Sequence, residues 1–278
     1  MLTSGRSRRV GLCVLVAVAS ALSMVMSAPA SSSMARLSGR CSASPHAGAN
    51  YSRCNLTGVN FTGADLAGAN FKHATLTDAA LGGADLSAAL LTKVVSGAIT
   101  GTPASLPSDW VVVNGYLIGP QANLTGANLS GANLVGADLF KADLANANLS
   151  GSDLTDATLK HSDLQGTVLA GATLTGVVTG GKIIGTPASL PSNWALVGTS
   201  VRYLVGPAAN LSGADFYGTN LAGTDLADAN LTGANFSFAD LAGANLAGAT
   251  LTGVTWSDTT CPDGLNSDNE GGTCINDL

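Results

Sequence analysis

Hydrophobic and polar positions follow one another along this chain with a period of five. Between residues 122 and 178 leucine recurs at Leu124, Leu129, Leu134, Leu139, Leu144 and Leu149, and the register continues to Leu174. A small residue, mostly alanine, stands two places before each leucine, and Asn, Asp or Thr usually stands between them. This period fits neither the helix nor the strand. Fixed self-similarity marks stacked repeats, because a five-residue unit buries nothing alone and must lay its apolar residues on those of a neighbouring coil. The small-polar-large order puts alanine and leucine on one side of an extended backbone and the polar residue on the other. The next two residues, often Ser or Thr and then Gly, supply a turn with positive φ. Each unit reads as a short extended side and a corner.

The register holds in three blocks. Leu or Phe fills 8 sites from Leu56 to Leu91, 11 from Leu124 to Leu174 and 9 from Leu211 to Leu251, 28 in all, and Trp256 takes the same place in a further repeat. This A-(D/N)-L-x-x pattern resembles the pentapeptide-repeat family. The resemblance implies an all-β fold: a right-handed quadrilateral parallel β-helix, a solenoid with four repeats per coil and the small and large residues inside. At four per coil, the 28 sites make seven coils, a stack of about 35 Å.

The breaks in register are themselves repeated. Gly101 to Trp110, GTPASLPSDW, returns at Gly185 to Trp194 as GTPASLPSNW. An apolar run and a Tyr-Leu-x-Gly-Pro follow each tryptophan. In the first copy Val111–Val113 and Tyr116–Ile118 flank Asn114-Gly115, a strong hairpin signal. The second copy carries three extra residues before Tyr203, an insertion that a hairpin tip tolerates. Two β-hairpin insertions therefore interrupt one solenoid; a hinge at each break is the alternative. Trp110, Tyr116, Trp194 and Tyr203 are candidate interaction aromatics, or covers for apolar surface where the register lapses. An exposed hairpin would also offer an edge for homodimerisation.

The ends carry other signals. Arg6, Arg8 and Arg9, then an apolar run from Val10 to Met26, then Ala28-Pro29-Ala30 read as a signal peptide cleaved after Ala30, with an uncleaved anchor as the alternative. Export leaves four cysteines, Cys41 with Cys54 and Cys261 with Cys274, each pair bracketing one end of the repeats. An even count in an oxidising compartment argues for disulfides, and the stack favours local pairing. Each closed loop would stabilise its cap by about 2–4 kcal/mol; metal-binding thiols are the competing reading. The expected organisation is a signal peptide (1–30), an N-terminal cap (31–53), repeats (54–93), a hairpin insertion (94–121), repeats (122–178), a second insertion (179–208), repeats (209–258) and a C-terminal disulfide cap (259–278). That tail resembles the C-terminal caps of other exported members. Its Asn266, Asp268, Glu270, Gly271 and Asp277 are spaced somewhat like a calcium loop, though a clasped Asx/Gly turn explains them.

Chemistry is sparse. His46, His73 and His161 are far apart in sequence, and no nucleophile elbow, phosphate loop or metal cluster occurs, so neither an enzyme nor a cofactor is expected. The aspartates share one repeat position; Asp143 and Asp163 would stack on one face, the basis of a polysaccharide-acting alternative, and a polysaccharide-binding β-helix is kept beside it. The full chain is −6, and removing three arginines with residues 1–30 gives −9. Nothing basic is clustered, which argues against nucleic acid. The resemblance also includes gyrase-protecting proteins that mimic DNA, but that role needs a cytoplasmic protein and a dense anionic surface. The expectation is an exported, non-enzymatic scaffold for an unknown protein or cell-surface ligand, not held in a membrane after signal cleavage.

Overall fold

The structure, a computed structural model, describes residues 39–275. The expected signal peptide (1–30) and residues 31–38 of the expected N-terminal cap lie outside the described residues.

Successive coils stack twenty residues apart. Asn123 pairs in parallel with Asp143, Asn128 with Asn148, Asn133 with Asp153 and Asp138 with Thr158: four bridges on four faces per turn. Face 1 runs through Asp138 and face 2 through Asn123. The leucine at each face points inward, and Leu124, Leu129, Leu134, Leu139, Leu144 and Leu149 are all 2% exposed or less. The polar residue before it points outward and folds its side chain onto the next turn. Asn123 Oδ1 accepts the Thr125 N–H at 3.1 Å, and Asp143 Oδ1 accepts that of Ala145 at 3.1 Å. Such Asx turns explain why Asn and Asp recur there. The corner then takes positive φ, with Gly126 at +67°, but Ala88 (+54°), Lys141 (+56°) and Asn146 (+58°) are held there as well.

The coil outlasts the leucine register. Val95, Thr100 and Ser105 bridge Thr75, Ala80 and Asp85, and Ile184 and Ser189 bridge Asp163 and Val168. The departures are therefore narrower than 94–121 and 179–208, and the stack is taller than the seven coils counted from leucine. In the first departure β1 (Val111–Val113) pairs antiparallel with β2 (Tyr116–Ile118). Asn114 (+50°) and Gly115 (+77°) form the turn, both with the positive φ of a type I′ connection. In the second, β3 (Ala195–Val197) pairs with β4 (Tyr203–Val205).

Neither hairpin projects freely. Leu117, Ile118, Leu204 and Val205 are buried, the Leu117 N–H donates to Ser96 Oγ (2.9 Å), and Thr179 Oγ1 donates to the Leu204 carbonyl (2.8 Å). Each tyrosine reaches the following coil: Tyr116 Oη accepts the Asn128 N–H at 3.2 Å, and Tyr203 Oη that of Asp215 at 3.0 Å. The hairpins are wedged between coils. Among the described residues, the bridge across the first wedge is Val95–Asn123 on face 2, and across the second Val178–Asn210 on face 1. One hydrophobic cluster runs from Ala49 through the first wedge to Leu204, a second runs from Val197 to Cys274, and Trp194 packs against both.

Aromatic rungs thicken the ends. Phe216, Phe236 and Trp256 stack with 5.2 Å between successive centroids, and Tyr203 lies 4.8 Å above Phe216. Near the N-terminus Tyr51 stacks on Phe71 at 5.2 Å.

Replacing one interior leucine, Leu149→Ala, should cost about 2–5 kcal/mol by denaturant titration. By contrast Ala88→Gly should stabilise by about 1 kcal/mol, since the left-handed region penalises any side chain with a Cβ.

Candidate functional site

Both ends are clasped as the cysteine pairs suggest, with Cys41–Cys54 and Cys261–Cys274 disulfide-bonded. The first closes over Tyr51, whose phenol donates to the Ala43 carbonyl at 3.0 Å and whose pKa burial raises. The C-terminal loop spends its oxygens on itself. Asn266 Oδ1 accepts the Asp268 N–H (2.9 Å), Asn266 Nδ2 donates to Asp258 Oδ1 (2.6 Å), and Asp268 Oδ1 accepts the Asp258 N–H (3.0 Å). Glu270 ends the Ser267–Asn269 turn with its backbone N–H on the Ser267 carbonyl. The turn account therefore covers the side chains of Asn266 and Asp268, while Asp277 lies outside the described residues.

The four candidate aromatics are engaged in packing. Trp110 and Tyr203 are buried, Trp194 and Tyr116 half-buried. A Cβ on Gly119 would come within 2.3 Å of the Trp110 ring, and one on Gly206 within 2.3 Å of Trp194, so each indole lies flat on the glycine of Tyr-Leu-x-Gly-Pro. Of the two readings of these residues, the packing fits covers over the apolar surface at the wedges. The exposed aromatic pair is elsewhere: Tyr217 and Phe238, with centroids 5.2 Å apart, on the outside of the third block.

Asp143 and Asp163 do share a ladder, as bridge partners on face 2. Each carboxylate is nevertheless engaged by its own turn, with Ala145 N–H on Asp143 and Gln165 N–H on Asp163 at 2.9 Å. The ladder carboxylates with perturbed acidity move away from acid catalysis. Asp85 is held below the usual range by hydrogen bonds from the Ser105 hydroxyl and Ser87, and Asp153 by the Thr155 hydroxyl and N–H. A general acid needs the opposite shift.

Sequence reasoning misplaced the cations. Lys and Arg scattered along the chain are brought by the coil onto one corner, between faces 1 and 2, where Arg53, Lys93, Lys141 and Lys182 stand on alternate levels with His73, Gln121 and His161 between them. The statement that nothing basic is clustered holds for the linear sequence and fails in space. The missed signal is spacing by whole coils, Arg53 to His73 to Lys93 and Lys141 to His161, each step being twenty residues.

A stack of parallel rungs four sides to a turn, with disulfide-clasped ends and an outer surface built from corner and ladder residues, is a solenoid of the β-helix class. The pentapeptide-repeat model matches residues 54–92, 121–156, 152–178 and 209–248, in 8 copies. The chain belongs to the pentapeptide-repeat family, whose members share a right-handed β-helix. Among solved structures it is similar to HetL from the cyanobacterium Nostoc sp. strain PCC 7120, a pentapeptide-repeat protein involved in heterocyst differentiation regulation (25% identity, 78% of this chain and 91% of that one, TM-score 0.29). It is also similar to Rfr23 from Cyanothece 51142 (27% identity, 48% and 85%, TM-score 0.20) and to full-length QnrB1, a plasmid-mediated fluoroquinolone resistance protein (16% identity, 70% and 90%, TM-score 0.20). No curated protein matches the chain.

Gly119→Ala should displace the Trp110 ring and cost about 1–3 kcal/mol by overpacking. Tryptophan fluorescence should shift towards that of an exposed indole, and an unchanged spectrum would argue against the seal.

Proposed function

We propose that the chain is an exported, non-enzymatic solenoid scaffold that binds a protein or cell-surface ligand outside the cytoplasm. The observation that carries this reading is the disulfide at each end, Cys41–Cys54 and Cys261–Cys274. Disulfides persist in oxidising compartments and are rare where glutathione keeps thiols reduced. The signal-like segment at 1–30 agrees with them. The scaffold reading is favoured over a polysaccharide-cleaving one because the stacked aspartates serve as turn caps. It is favoured over DNA mimicry because Asn and Thr alternate with Asp on the ladders, and because one corner is cationic. The hairpins give dimerisation less support, their second strands being turned into the stack.

Mass spectrometry of the culture medium should find the protein beginning after Ala30 with both disulfides intact. A cytosolic protein retaining residues 1–30 with reduced thiols would overturn the exported reading.

A further inference from the structure

Each corner of the coil carries an outward side chain, and on one corner those side chains form a column. Face 2 is an unbroken ladder through Asn55, Thr75, Val95, Asn123, Asp143, Asp163 and Ile184. Two residues before each rung stand Arg53, His73, Lys93, Gln121, Lys141, His161 and Lys182. All seven have positive φ. Their backbones are in register: the Lys93 N–H donates to the Gln121 carbonyl (2.8 Å), Gln121 to Phe140 (2.7 Å) and Lys141 to Lys160 (2.9 Å). The column crosses the first wedge because that hairpin leaves face 2 paired. It stops at the second, where pairing passes to face 1.

Lys72 and Lys160 precede His73 and His161, adding charge at those levels. Residues 41–275 contain seven Lys and Arg, and six of them stand on this corner. The seventh, Arg202, lies against its upper end, accepting the Ile183 N–H through its carbonyl and donating to Thr186 through its guanidinium. Among the described residues no ion pair neutralises the column. Two shallow grooves follow it, about 360 Å³ beside Arg53, Lys72 and His73, and about 440 Å³ beside Lys93, Lys141 and Lys182.

We propose that this edge binds a linear acidic polysaccharide, a chain of uronic-acid sugars lying along the corner with carboxylates on alternate rungs. The column is single-file over about 29 Å, with Arg53, Lys93, Lys141 and Lys182 on alternate rungs about 10 Å apart and Gln121 uncharged between the middle two, so it suits a slender chain with anions spaced along one edge. Both flanking faces carry carboxylates, Asp138 on face 1 and Asp143 and Asp163 on face 2, which repel a broad anionic surface. Phe140 lies between the cations, with Lys141 Nζ 5.0 Å from its centroid and the His161 ring edge-on at 5.5 Å, which gives a sugar ring an apolar face beside a charge. The sugar class rests on the exported reading; the site itself does not.

The test uses the purified full chain with its disulfides intact and a fluorescein-labelled oligogalacturonate, read by anisotropy. Binding should be measurable at low ionic strength and fall as salt rises. Lys93→Gln with Lys141→Gln should weaken it about tenfold. Ala88→Glu with Asn146→Glu makes the same two-unit change in net charge at exposed positions on other corners and should change it by less than about twofold. Circular dichroism confirms that each variant folds. An equal loss in both pairs, or no binding of the oligogalacturonate at low salt, would overturn the proposal. So would tighter binding of an oligothymidylate of equal charge. Salt-reversible self-association abolished by the lysine substitutions would likewise overturn it, by assigning the edge to the third block of a second copy, which has no Lys or Arg beyond Arg202. A cytosolic location would remove the exported reading and leave this binding result standing.

Discussion

The register between one coil and the next is the constraint on which everything else in this molecule depends. Adjacent coils donate to each other in both directions: the Leu124 N–H reaches the Asp143 carbonyl at 2.8 Å, while the Asp143 N–H reaches back to the Ala122 carbonyl at 2.9 Å. A slip by one residue would turn every buried leucine outward. The stacked leucines forbid that slip, and the hydrogen bonds hold the leucines in line. Neither interaction suffices alone, because a pentapeptide has too little apolar surface to stand without neighbours. The ends are where this mutual support runs out, and both are closed by a disulfide.

Because the interior and the Asx turns settle the architecture between them, the corner residue is comparatively free. It must tolerate positive φ, and glycine does so best, yet lysine, histidine, aspartate and alanine all occur there. The scaffold thus separates positions that make the fold from positions that can carry a message. Whatever is placed at one corner every twentieth residue becomes a line on the surface.

Much of the fold was legible in the chain. Leu124 to Leu174 announces the stack, and Asn114-Gly115 announces the first hairpin, because both signals are local. The local cysteine pairing was favoured from spacing and is the pairing found. Less legible were features that depend on whole coils. Val95, Thr100, Ile184 and Ser189 keep the coil going without a leucine, so the register seemed to end early. Trp110 and Trp194 looked available because nothing in the sequence says that Gly119 and Gly206 will receive their rings. The cationic corner was invisible for a related reason: neighbours in space are twenty residues apart in sequence, or twenty-eight where Lys93 meets Gln121 across the wedge.

The two wedges do not share a side. Between the bridging residues Asn123 and Val178 the chain takes eleven pentapeptide steps, one fewer than three full turns of four. The surviving seam therefore moves back by one face, a quarter of a revolution. The two seams thus lie on adjacent sides of the square, at right angles to each other. Each wedge therefore interrupts a different set of three faces, and among the described residues no side of the stack keeps its pairing from one end to the other. A twelfth repeat would have set both seams on one side.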